Sequence, residues 1–140
     1  MENMLYKALA SLNINQTAAG TTELEGAAID MSGFDEVTFL AVLGSVSSGG
    51  TDVLKAQESA DGSTGWADIT GATSGTQTDK SNKILAVSVY RPRKRYVRAV
   101  LTPAVANTVV GGVVAFQTQG RKEPVTQPSS VAAAVTVAAS

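Results

Sequence analysis

Histidine and cysteine are both absent from this 140-residue sequence. Their absence excludes disulfides, thiolate nucleophiles, Ser-His and Cys-His pairs, and any histidine general base. Zinc and haem lose their usual ligands as well. Aromatic residues are scarce at 5%, so a core has to be built from Val, Leu, Ile and Ala. Charged residues make up only 16%, below the usual quarter or so of a globular chain. The formal net charge of −1 creates no field that would draw the protein to nucleic acid or to an anionic membrane. No apolar run approaches the roughly 20 residues of a membrane-spanning helix. The opening Met1-Glu2-Asn3-Met4 lacks the basic and apolar regions of a signal peptide. These absences point to a protein made in a cytoplasm, without enzymatic activity, metal or cofactor, and with neither membrane nor nucleic acid as a direct partner.

What is present alternates or clusters with the two-residue period of strands. Glu36 to Gly44 is apolar at nearly every position, which predicts a strand buried on both faces. Asp52 to Ser59 alternates, with Leu54 and Ala56 inward and Lys55 and Gln57 outward. Ile84 to Tyr90 puts Leu85, Val87 and Val89 on one face, and Tyr96 to Thr102 does the same with Val97, Ala99 and Leu101. Val109 to Gln117 closes the series, its central Gly111-Gly112 predicting a bulge or a close backbone approach. Between these runs lie turn signals at Ser47-Ser48-Gly49-Gly50 and Asp61-Gly62-Ser63-Thr64-Gly65, while Asn13 to Thr22 and Thr70 to Asn82 are polar connections. About seven strands with little helix predict an all-β fold, a single jelly-roll-like β-sandwich over residues 1–120. Phe39, Val42, Leu85, Val87, Val97 and Leu101 are the expected core. Residues 1–12 form an N-terminal arm, short helix or edge strand, since Met4, Leu5, Ala8, Leu9 and Leu12 also share a helical stripe. Residues 121–140 form an extended C-terminal arm, with Pro124 and Pro128 followed by Val131, Val135 and Val137.

Few residues offer chemistry. Asp61 and Asp68 flank Trp66 and could in principle work as a carboxylate pair on a sugar, or Asp61 could take part in holding calcium. An Asp-Gly step in a Ser/Thr-rich turn is ordinarily just a turn, and the spacing matches no calcium loop. Arg91, Arg93, Lys94, Arg95 and Arg98 form the charge cluster of the chain, with Tyr96 beside it as an interface anchor or a core flank. Such a cluster suits an acidic protein surface or phosphate, the protein being favoured because acids elsewhere cancel the total charge; its plainer role is a solvated turn that discourages edge-to-edge pairing. The expected partner-binding residues are Arg93, Lys94, Arg95, Tyr96 and Arg98, with Val131, Val135 and Val137 of the arm adding a strand to a neighbour's open edge.

Leu43-Gly44, Gln57-Glu58-Ser59, Asp61-Gly62-Ser63, Trp66 and Arg95-Tyr96-Val97-Arg98 follow one another in an order that resembles the head decoration, or cement, proteins of tailed phages. The resemblance spans about residues 27 to 120 and excludes the arm. It implies a β-sandwich on the outer surface of a capsid, with the major capsid protein as partner, a virion location after synthesis in the bacterial host, and no catalytic residue. Self-association is expected beside it, most simply as a homodimer. Another virion part, such as a tail, stopper or fibre-base protein, is the alternative, followed by a carbohydrate-binding module with Trp66 as its platform.

Overall fold

In the computed structural model, which describes residues 7–118, 128 and 131–133, the chain is all-β. The strands are β1 (Leu9–Ile14), β2 (Thr17–Gly20), β3 (Leu24–Glu25), β4 (Ile29–Asp30), β5 (Glu36–Val46), β6 (Thr51–Ser59), β7 (Ala67–Thr73), β8 (Gln77–Thr78), β9 (Ile84–Tyr90), β10 (Tyr96–Ala104) and β11 (Thr108–Thr118). They form two antiparallel sheets packed face to face. One runs β1-β11-β5-β9, with β2 also on β11. The other runs β3-β10-β6-β7, with β4 also on β10 and β8 on β6. The polar connections expected over Asn13–Thr22 and Thr70–Asn82 therefore contain short strands, which pair at the margins of the two sheets where hydrophobic alternation is not required. At the N-terminus the edge-strand alternative holds for Leu9–Ile14.

The core lies between the sheets. Phe39, Leu54, Ala56, Val97, Ala99 and Leu101 are wholly enclosed there, and Leu85, Val87 and Val89 are buried beside them. Burial on both faces of β5, however, does not occur. Phe39, Ala41 and Leu43 are buried while Val42 is 43% exposed. The reason lies in the layer count: this sheet has the second sheet on its inner face alone. Leu12, Val114, Leu40 and Ala86 line up across four strands on the outer face, with Val42 and Ile84 in the next row. Leu12 and Ile84 are 45% and 61% exposed, so a stripe of apolar side chains faces outward.

Polar side chains tie the sheets together inside. The Asn13 side chain of β1 donates from Nδ2 to the Ala27 carbonyl at 2.8 Å and accepts the Ala99 amide of β10 at 3.1 Å. Gln117 of β11 donates from Nε2 to the Asp30 carbonyl at 2.8 Å. Buried Asn and Gln need such partners, and the bonds to Ala99 and Asp30 cross from one sheet to the other. The glycine pair in β11 sits at a register shift against β5, with Gly112 at a φ of 127°, where a side chain would meet the Ile14 carbonyl at 3.1 Å, as the sequence suggested.

Candidate functional site

The basic cluster falls on the loop that joins β9 to β10, residues 91–95, and the loop is held from below. Its Arg91 takes a left-handed conformation (φ 51°), its amide donating to the Asp35 carbonyl. One carboxylate oxygen of Glu58 accepts the amides of Arg93 and Lys94, at 3.0 and 3.3 Å. At the far end, the Arg95 guanidinium grips both oxygens of Asp30 at 2.9 and 2.8 Å. Those bonds hold the Asp30 carboxyl below the ordinary carboxylate range and raise the affinity of Arg95 for its proton. The backbone is thus clamped by three long-range contacts.

The five expected residues of this cluster separate into two groups. The side chains of Arg93 and Lys94 are exposed and, among the described residues, make no hydrogen bond or ion pair. Arg95, by contrast, is committed to Asp30 while its guanidinium also lies 5.3 Å from the Tyr96 ring centre. Arg98 is not a free surface cation at all. Its guanidinium lies over Trp66, 4.4 Å from the ring centre, forks onto Gln57 Oε1 at 3.0 and 2.8 Å, and reaches Glu25 at 3.1 Å. Its side chain is 14% exposed. Arg98 is on the outer face of its sheet, as the alternation required, but neighbours there have covered it. Tyr96 is half-buried and packs on Gly62 of the adjoining turn. Of the arm residues, Val131 donates its amide to the Pro128 carbonyl at 3.0 Å, while Val135 and Val137 lie outside the described residues.

Beside the loop is a cavity of about 510 Å³, with Met31 and Phe34 on one side and Arg91, Arg93 and Lys94 on the other. Asp35 and Arg95 also line it. A concavity with an apolar wall and unpaired cations suits an acidic surface that carries an apolar side chain.

Of the carboxylate candidates, Asp61 is a turn former and Asp68 stands in strand β7. Asp61 accepts the amides of Ser63 and Thr64 at 2.9 Å and the Thr64 hydroxyl at 2.7 Å. These donors, the Thr64 amide first, hold its carboxyl far below the usual range. Asp68 is likewise lowered, by Gln57 and then by Lys55. Among the described residues no group of three acidic side chains gathers to hold a metal ion. No described helix is long and apolar enough to cross a membrane. Sequence reasoning missed Asp52, which is fully buried, accepts the Thr108 hydroxyl at 3.1 Å and leaves its other oxygen unpartnered. Burial raises its pKa. Its partner is 56 residues away in the chain, and nothing local marks it.

Comparison with solved structures places the architecture. The chain is similar to the PBSX exported protein XepA, with a TM-score of 0.59 and 17% identity, over 99% of this chain. At that identity the two share a fold. This chain spans 46% of XepA, slightly less than half its length. A looser similarity, at a TM-score of 0.44 and 11% identity, joins 86% of the chain to 27% of Clostridium thermocellum endo-1,4-beta-D-xylanase 10B, solved as its CBM22-1 and GH10 modules with xylohexaose. No family model and no curated protein matches the sequence.

Proposed function

We propose that this chain is a non-enzymatic structural protein of a phage virion, and that it binds the outer surface of the capsid and stabilises it as a decoration protein. The observation that carries the proposal is the clamped loop with Arg93 and Lys94 projecting unpaired beside the Met31–Phe34 cavity. A rigid loop loses little conformational freedom on binding, so its two charges are available to an acidic patch on the major capsid protein. The sandwich shared with a phage-related protein supports the assignment to a virion. So do the lack of His and Cys and the low charge, which suit a protein whose outer faces are covered by neighbours. A copy seated on a lattice gains from multivalent neighbours, and the apolar stripe of Leu12, Leu40, Val42 and Ile84 offers a face for a second copy of the chain.

The carbohydrate-binding alternative draws less support, because one face of the single tryptophan, Trp66, is stacked against Arg98. The experiment is co-sedimentation of the purified protein with heads assembled without it. Wild type should pellet with the heads, less so as salt rises, and a variant with Arg93→Glu and Lys94→Glu should stay in the supernatant while melting normally. Full occupancy by that variant would reduce the loop to a solvated turn.

A further inference from the structure

The side of the sandwich at β9 carries a different surface. Among the described residues β9 ends its sheet and pairs with β5 alone. The Leu43 amide donates to the Lys83 carbonyl at 2.9 Å, and the Arg91 amide to the Asp35 carbonyl at 2.6 Å. Both bonds continue the register in which Tyr90 faces Glu36 and Ile84 faces Val42. They therefore fix the parity: Leu85, Val87 and Val89 bond to β5, whereas Ile84, Ala86, Ser88 and Tyr90 turn their amides and carbonyls away from it.

That outward row borders a cleft. Ile69, Thr70 and Ala72 of β7 form one wall, and Ser88 and Tyr90 the other, around a hollow of about 280 Å³. A second hollow of about 280 Å³ adjoins it and extends to Arg91 and Arg93. Proteins usually blunt an exposed edge with a charge, a proline or a bulge inside the strand. Ile84–Tyr90 contains none of these. The charges stand at the two ends instead, Lys83 at one and Arg91 with Arg93 at the other.

Those ends select the partner. If two copies paired antiparallel through β9 about Val87, Ile84 would face Tyr90 and Lys83 would face Arg91, placing like charges opposite at both ends. A strand with a carboxylate at each end meets a cation at each end. The acidic groups around the edge are already engaged: Glu36 accepts the Ser88 hydroxyl, Glu58 the loop amides, and Asp68 the Gln57 and Lys55 side chains.

We propose that the open edge of β9 binds an extended, acidic-ended segment of a partner protein by strand addition, seating its small apolar side chains against Ile69 and Ala72. This deepens the surface-binding function by supplying a mode of attachment. Its test uses the isolated chain and a peptide, so its failure is distinguishable from failure to bind particles.

The isotope-labelled full chain is titrated with a blocked peptide of 7 residues, the length of β9, alternating valine and threonine with aspartate at both ends. A counterpart carries lysine at both ends. Saturating acidic peptide should slow amide exchange at Ile84, Ala86, Ser88 and Tyr90 by about tenfold or more, leaving the already protected Leu85, Val87 and Val89 unchanged. The lysine peptide should leave all of them unaltered. Ala86→Pro removes an outward donor without breaking a bond to β5, and should weaken the acidic peptide by about tenfold or more. Should that variant fail to fold, Lys83→Glu with Arg93→Glu carries the test, since it should transfer preference to the lysine peptide. No protection by the acidic peptide, or equal binding of both peptides, overturns the proposal. Protection that grows with protein concentration in the absence of peptide also overturns it, assigning the edge to a second copy.

Discussion

Truncating Leu101 to alanine, beside the matched change Val42→Ala, tests where the core lies. Leu101 is fully buried on β10, in register with Leu24 of β3 on one side and Leu54 of β6 on the other. Three carbons are lost, at about 0.8 kcal/mol each for transfer alone, and the cavity left among such neighbours brings the cost to roughly 2–5 kcal/mol. Val42 sits on the adjacent sheet with 43% of its surface exposed, so losing its two methyl groups should cost under about 1 kcal/mol. Urea denaturation at constant slope measures both, and the Leu101 variant should also melt about 10 °C lower. Equal costs, or a Leu101→Ala cost below about 1 kcal/mol, would show that the inner and outer faces are exchanged.

Other expectations follow from single contacts. Burial gives the folded state a higher proton affinity at Asp52 than the unfolded chain has, so its contribution favours folding at low pH and declines as pH rises through the raised value. Asp52→Asn should therefore be more stable than wild type at neutral pH, with the gap closing toward about pH 4, the ordinary carboxylate range, in denaturant midpoints measured across pH; a less stable variant at neutral pH would contradict this. Gly62 has a φ of 78°, and a side chain there would meet the Tyr96 ring at 3.0 Å. Gly62→Ala should cost roughly 1–3 kcal/mol, read as a lower melting temperature. Arg98→Lys keeps the charge but loses the fork onto Gln57 and the guanidinium contact with Trp66. Emission from the single tryptophan should shift to the red, and an unchanged spectrum would mean that the stacking does not persist in solution.

The strands with clear alternation were legible because side-chain period and burial are the same fact seen twice. Leu85, Val87 and Val89, or Val97, Ala99 and Leu101, announce one buried face each. The Asp61 turn and the break at Gly111-Gly112 were legible through backbone chemistry that few other residues supply. The outer face of β5 was not. Val42 looks like core in sequence, yet no second layer covers it among the described residues. The candidate site was half legible. Its charges were plain, but their division depended on partners far along the chain: Asp30 lies 65 residues from Arg95, Glu58 35 from Arg93, and Gln57 41 from Arg98. The open edge of β9 was illegible for a similar reason, since strand order is set by pairing across the whole chain.

A decoration protein of the proposed kind is seated on the outside of a phage head, with the loop of Arg93 and Lys94 turned to the capsid. Cryo-electron microscopy of the virion that contains it tests this most directly. Density for the sandwich is expected at regular positions on the capsid exterior, with that loop within contact distance of acidic side chains of the major capsid protein. Density for the chain in the tail alone, or on the head with the loop facing solvent, would contradict it.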